Sequence, residues 1–312
     1  MSRFHRRAVL AAPFAGLAAP LIGSLPARGQ GQPVVIGSKL DTEGALLGEM
    51  MAQLLEARKV PVQRRLQLGP TRIVRQALLS GEIDLYPEYT GNGAFFFQME
   101  ADPAWHDAAQ AAAKVRALDA ERNKLVWLEP AAANNTWAIA IRRDLARSGG
   151  LATLADLPAH LARNGAFKLA ASAEFVESPA ALPAFQKAYG FTLPAERLLV
   201  LSGGDTAVTM RAAAEQLNGV NAAMVYGTDG AIAALDLQVL GDPKGAQIVY
   251  QPAPVVRQAV AERLPQLGDW MRPLFASLSL ETLQTLNARI VVEGQPAQQV
   301  AAAHLRGLGA PG

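Results

Sequence analysis

The strongest constraint on this chain is a unit that it uses twice. Residues 68 to 91 read Leu-Gly-Pro-Thr-Arg-Ile-Val-Arg-Gln-Ala-Leu-Leu-Ser-Gly-Glu-Ile-Asp-Leu-Tyr-Pro-Glu-Tyr-Thr-Gly. The apolar spacing predicts an amphipathic helix capped by Thr71 and ended by Gly81, then the short strand Ile83-Asp84-Leu85-Tyr86. Where that strand ends, Tyr86 and Tyr89 crowd around Pro87. The second copy opens a helix at Gly203-Gly204-Asp205-Thr206 and closes it at Asn218-Gly219. Its strand over 222–225 delivers Tyr226 ahead of Gly227-Thr228-Asp229-Gly230. Thr71 and Tyr89 are 18 residues apart, Thr206 and Tyr226 are 20 apart, and the chain has only 5 tyrosines. Two α/β units that each place a ring at the carboxyl end of a strand predict two lobes facing one ligand.

The neighbouring segments extend each copy. Pro33-Val34-Val35-Ile36-Gly37 reads as a buried strand, and Asp41 or Thr42 caps a helix whose Leu46, Leu47, Met50, Leu54 and Leu55 share one face. With a strand over 62–68 this makes a βαβαβ run, which implies a parallel sheet with its ligand outside the carboxyl ends of the strands. The segments there are Ser38-Lys39, Gly69-Pro70-Thr71 and Pro87-Glu88-Tyr89-Thr90. An alanine-rich helix over 102–124 and the strand Leu125-Val126-Trp127-Leu128 follow, and Asn134-Asn135-Thr136-Trp137 leads into an apolar run at 138–141. The second βαβαβ run comprises strand 168–171, helix 180–189, strand 198–201, helix 206–217 and strand 222–225. After Tyr250-Gln251-Pro252-Ala253-Pro254 the chain turns helical, with Leu267, Trp270, Met271, Leu274 and Leu278 at helical spacing. The second run thus lies between two parts of the first. The expected organisation is a leader over 1–29, a first lobe over 30–138 and 241–312, and a second lobe over 139–240. Two crossings, near 138–142 and 236–248, form a hinge that suits a clamp closing on a ligand.

The leader follows from charge and hydropathy. Arg6-Arg7 precede an apolar run over 8–25, and Ala27-Arg28-Gly29 offers small residues ahead of a cut before Gln30. The paired arginines favour the twin-arginine export route, and Pro13 and Pro20 argue against a membrane anchor. Arg3, Arg6, Arg7 and Arg28 precede Gln30 without any acid, so their removal turns 29 basic against 27 acidic residues into 25 against 27. The basic excess belongs to the leader, which argues against a nucleic-acid partner. Without cysteine, disulfides, thiol catalysis and a lipidated mature terminus are excluded. The expected location is the periplasm.

Catalytic constellations are scarce. His5 falls in the leader, and His106, His160 and His304 fall in polar helical stretches, where exposed positions are expected. No histidine pair has metal spacing, and no nucleophile elbow or phosphate loop is present, so neither a metal nor a cofactor is expected. Ser202-Gly203-Gly204-Asp205-Thr206 could cradle an anion at a helix start or simply permit a tight turn. The aromatic residues carry more weight. Tyr89, Trp137, Tyr226 and Tyr250 all adjoin strand ends or crossings, whereas Trp105, Trp127, Trp270 and Tyr189 read as packing residues. Rings converging on a cleft suit a cation that cannot donate hydrogen bonds, each worth about 0.5–1 kcal/mol exposed and about 2 desolvated. The alternative is four separate packing aromatics.

Three blocks carry a resemblance: Gly37-Ser38-Lys39-Leu40-Asp41-Thr42-Glu43-Gly44, Leu85-Tyr86-Pro87-Glu88-Tyr89-Thr90-Gly91 and Tyr226-Gly227-Thr228-Asp229. Over nearly the whole mature chain the sequence resembles the substrate-binding proteins of osmoprotectant (glycine betaine, carnitine, choline) ABC importers, in the low-affinity YehZ-like branch. The resemblance implies a bilobal type II periplasmic binding protein, α/β in class, with two parallel-sheet lobes on a two-crossing hinge. It implies a monomer that is not an enzyme and that delivers a quaternary ammonium compound to an ABC permease and its ATPase. The implied aromatic box is Tyr89, Trp137, Tyr226 and Tyr250, with Asn135 beside it. Lys39 matches a lysine that contacts the ligand carboxylate, and Asn92 replaces a threonine that assists it. Ser178 occupies the place of an arginine that betaine-binding relatives carry, so the carboxylate clamp is missing unless Arg142, Arg143 or another cation supplies it. This leaves room for choline or another trimethylammonium compound. A cleft enzyme and a ligand sensor are the competing readings.

Overall fold

The computed structural model describes residues 31–201 and 206–309, and Gln32 onward forms one compact unit. The expected leader, and the Ser202–Asp205 part of the suspected anion cradle, lie outside the described residues.

Among the described residues, ten strands make two five-stranded sheets. In chain order they are β1 (Val34–Lys39), β2 (Val62–Gly69), β3 (Leu85–Tyr89), β4 (Leu125–Trp127), β5 (Trp137–Arg142), β6 (Leu169–Ser172), β7 (Leu198–Leu201), β8 (Ala222–Tyr226), β9 (Leu237–Val239) and β10 (Pro252–Arg257). The first sheet has the order β2-β1-β3-β10-β4 and the second β7-β6-β8-β5-β9. The internal duplication read from the sequence is therefore a duplication of topology, strand for strand. In each βαβαβ run the three strands are parallel, as expected. Each sheet then receives one antiparallel strand, β10 or β5, between its third and its edge strand. Both sheets are thus mixed. The antiparallel strand is in each case the first one after the chain crosses from the other lobe, so it enters the sheet from the cleft side.

The sequence reading takes the chain from 250–254 directly into helix, whereas the structure forms the central strand β10 there, although proline is ordinarily confined to edge strands. The register removes the conflict. Pro254 stands opposite Pro87 of β3, and alternate pairs in an antiparallel ladder exchange no hydrogen bonds. The Pro252 and Pro254 carbonyls still accept from Ala131 and Leu128 at 2.8 and 3.0 Å.

Each sheet lies between two helical layers. On one face of the first, Leu46, Leu47, Met50 and Leu55 of the helix Thr42–Ala57 meet Met271, Leu274 and Phe275 of the helix Leu267–Ala276. On its other face Val74 and Leu78 meet Trp105 and Val115. The second sheet is covered by Phe175 and Phe185 on one side and by Met210 and Ile232 on the other. Asp41 caps the first helix as expected, its carboxylate accepting from the Gly44 N–H at 2.7 Å. The next helix differs: Pro70 is its N-cap, Thr71 is its first residue, and no side chain bonds the free N–H groups. Gly81 ends that helix with φ 80°, the left-handed cap its sequence predicts. His160 departs from its expected exposure, since it is buried with its Nε2 3.2 Å from the Ala166 carbonyl. His304 is half-buried against Ser277.

Candidate functional site

The carboxyl ends of β1, β3 and β8 and the amino ends of β5 and β10 open into one cleft of about 1620 Å³. Well-formed small-molecule sites are typically about 300–1,000 Å³, so the cleft is open. All eight candidate residues line it: Lys39, Tyr89, Asn92, Asn135, Trp137, Ser178, Tyr226 and Tyr250.

Strand pairing brings the rings there. Trp137 stands opposite Tyr226 across the β5–β8 ladder, and Pro252 stands opposite Tyr89 across the corresponding β10–β3 ladder. Trp137 and Tyr226 therefore stack, with centroids 6.5 Å apart and planes 23° apart, and the Trp137 ring meets the buried Phe175 edge-on at 5.9 Å. Tyr226 is 37% exposed. Tyr250 precedes β10 and is fixed by two bonds: its N–H donates to Asn134 Oδ1 at 2.8 Å, and its carbonyl accepts from the Asn135 N–H at 2.9 Å. Gly91 permits this crossing, since a Cβ there would lie 2.7 Å from the Val249 carbonyl oxygen. Burial raises the phenol pKa of Tyr89, Tyr226 and Tyr250 above the ordinary value of 10.0. At neutral pH the three are hydroxyls and their rings keep an electron-rich face.

Two buried carboxylates organise the polar floor, and neither was singled out from the sequence. Glu43, in the first turn of the helix Thr42–Ala57, accepts from the Tyr89 hydroxyl at 2.7 Å, from Asn287 Nδ2 at 2.7 Å and from Asn135 Nδ2 at 3.3 Å. Burial raises its pKa above 4.5 although bonds from Thr228, Tyr89 and Asn287 work against that. Glu88 is fully buried and binds Lys39 Nζ, Asn92 Nδ2 and the Tyr89 N–H through one oxygen and the Tyr86 hydroxyl through the other. The Lys39 ammonium also lies 4.5 Å from the Tyr89 ring centroid, so an internal cation already covers one face of that ring.

Ser178 follows the short helix Ala173–Glu177 and lines the facing wall. Arg142 and Arg143 do not substitute for an arginine there. They lie at the far end of β5 from Trp137, where Arg142 binds Asp144 and the Ala214 carbonyl and Arg143 pairs with Asp236. The other cations along the cleft are Lys187 and Arg211, both on exposed helix surface.

The loop 227–230 joins the second sheet to the helix Leu280–Val291. Gln284 Nε2 donates to the Gly227 carbonyl at 2.7 Å and Asn287 Nδ2 to the Thr228 carbonyl at 2.9 Å. Gly230 rests on the helix Leu280–Val291, where a Cβ would lie 2.2 Å from the Ala288 nitrogen. No group of histidine and acidic side chains that could hold a metal occurs among the described residues, and no described helix is long and apolar enough to cross a membrane.

Comparison with known proteins shows the family. Residues 32–307 match the family described as the substrate-binding domain of ABC-type glycine betaine transport systems. The chain belongs to that family. Its members are substrate-binding proteins of transporters, not enzymes. The chain is 59% identical over 283 residues to the glycine betaine-binding protein YehZ of Escherichia coli, covering 91% of this chain and 92% of that protein. It is 33% identical over 283 residues to a glycine-betaine-binding protein of Pseudomonas aeruginosa, covering 89% and 88%. The structure of apo YehZ superposes with a TM-score of 0.84, covering 89% of this chain and 99% of that one. The bilobal periplasmic-binding-protein architecture expected from the sequence is thereby established.

Proposed function

We propose that this chain is a periplasmic solute-binding protein that captures a quaternary ammonium compound between its lobes and delivers it to an ABC permease driven by an ATPase. The observation that carries this reading is the wall made by Trp137 and Tyr226 beside Tyr250 and Tyr89, on a floor that holds the buried Glu43 carboxyl. A trimethylammonium head offers no hydrogen bond and little hydration to lose. Ring faces at about 2 kcal/mol each when desolvated are therefore its best partners. A primary ammonium would give up strong hydration for the same rings. The relatives named as binding glycine betaine make that compound the first candidate, and choline and carnitine share its trimethylammonium head.

In this reading residues 30–138 and 241–312 form one lobe and 139–240 the other, with 1–29 removed on export. The open cleft closes when Trp137 and Tyr226 of the second lobe swing onto Tyr89 and Tyr250 of the first, the protein acting as a monomer. Asn135 lies at the crossing and orients the ligand, and Ser178 completes the facing wall. Calorimetric titration with choline, glycine betaine and carnitine, with ethanolamine as the unmethylated control, tests the proposal. Saturable binding of the methylated ligands and none of ethanolamine is expected. Equal affinity for choline and ethanolamine would remove the aromatic cage as the basis of recognition.

A further inference from the structure

We infer that Glu88 is an internal counter-anion that fills the carboxylate pole of the cleft, so that a ligand's own carboxylate adds little to its binding. This rests on the quaternary ammonium reading above and specifies the ligand further: the trimethylammonium head is recognised, the anion is not.

Lys39 and Asn92 are the two groups that the family resemblance assigns to a ligand carboxylate. Both are turned onto Glu88 Oε1, Asn92 at 2.7 Å, together with the Tyr89 N–H at 2.7 Å. The Tyr86 hydroxyl holds the other oxygen at 2.7 Å. Four donors and no acceptor face this carboxylate, which is itself 0% exposed. It therefore has the environment of a bound anion, built from three of the chain's own side chains and one backbone N–H. Lys39 is only 7% exposed and has its ammonium both on Glu88 and over the Tyr89 ring. A ligand carboxylate entering from the cleft would have to displace a tethered, fully desolvated one. Truncating a partner in such a buried pair is strongly unfavourable, and partial displacement carries part of that cost.

The other polar groups do not replace this pole. Glu43 is a second acid on the same floor and supplies no positive charge to an anion. Lys187 and Arg211 stand on exposed helix surface across the cleft, where an ion pair in water gains little. With Ser178 in place of the family arginine, the facing wall supplies no guanidinium there either.

The test compares glycine betaine with its methyl ester, which keeps the trimethylammonium head and removes the charge. Affinities of both are measured by calorimetry on the wild-type chain and on Glu88→Gln, which keeps the side-chain shape and frees the Lys39 charge. In the wild type the two ligands should bind within about threefold of each other. In Glu88→Gln the preference for glycine betaine over the ester should rise by about tenfold or more, as expected for a charge-assisted contact. Wild-type preference for glycine betaine of about tenfold or more would overturn the inference, and so would an unchanged ratio in the variant. If circular dichroism finds Glu88→Gln unfolded, the wild-type pair decides alone. A wild type that binds neither ligand overturns the quaternary ammonium reading and this inference with it, whereas binding with a carboxylate preference overturns only the inference.

Discussion

Replacing Trp137 by Ala separates a cage from a set of packing aromatics. The indole is half-buried, stacks on Tyr226 at 6.5 Å and meets Phe175 edge-on at 5.9 Å. Truncation removes one ring from around the bound cation and leaves Tyr226, already 37% exposed, without the neighbour that fixes its plane. A single ring against a desolvated cation is worth up to about 2 kcal/mol, so a loss of about 1–2 kcal/mol, or roughly 5–30-fold in choline affinity, is expected. Trp137→Phe keeps a π face and should lose less. The loss of the Tyr226 stack costs stability as well, about 0.5–1.5 kcal/mol for an aromatic pair. Calorimetry and thermal melts on the same samples separate the two effects. Choline binding by Trp137→Ala within twofold of the parent, with a lowered melting temperature, would refute the cage and leave Trp137 as packing.

Three further outcomes follow from the interior. Asp119 is fully buried and accepts from Arg75, from Trp127 Nε1 at 2.6 Å and from Asn123 at 2.7 Å, so Asp119→Ala strands a buried guanidinium and should cost about 3–5 kcal/mol in urea unfolding; an unchanged midpoint would contradict this. Glu43 holds its proton more tightly folded than unfolded, so it favours the folded state fully below about pH 4.5, and that contribution declines as pH rises until the folded carboxyl ionises. Glu43→Gln should remove this decline from the pH profile of the melting temperature, and an identical profile in both proteins would argue against a raised pKa. Gly230→Ala drives a Cβ to 2.2 Å from the Ala288 nitrogen, so it should loosen the contact of the loop 227–230 with the helix Leu280–Val291 at a cost of about 1–3 kcal/mol. Wild-type stability and affinity together would show that this contact does not matter.

The architecture was legible because apolar periodicity and turn residues are local. The βαβαβ runs, the Asp41 cap, the Gly81 stop and the core around Met50 and Met271 all follow from short windows of sequence. β10 was hidden by its prolines, since only the partner strand reveals that Pro254 faces Pro87. Lys39 and the four rings were legible as residues at strand ends or crossings, a position that topology converts into proximity, whereas Asn92, Asn135 and Ser178 came from the family resemblance. What those residues do to one another was not. The turning of Lys39 and Asn92 onto Glu88, and the gathering of Tyr89, Asn135 and Asn287 around Glu43, join positions up to 244 apart in the chain. Glu43 and Glu88 both stand inside motifs quoted from the sequence, yet an acid in a motif reads as solvated until its burial is known. Arg142 and Arg143 show the converse: near Trp137 in sequence, they are a whole strand away in space, at about 3.3 Å per residue.

The most direct test of trimethylammonium capture is an isotope-filtered nuclear Overhauser experiment on the protein saturated with choline. The single N-methyl resonance should give cross-peaks to the ring protons of Trp137 and Tyr226, and to Tyr250 or Tyr89 from the opposite lobe. Cross-peaks to rings of both lobes would place the cation between them. Saturable choline binding with no contact to Trp137 or Tyr226 would contradict the account.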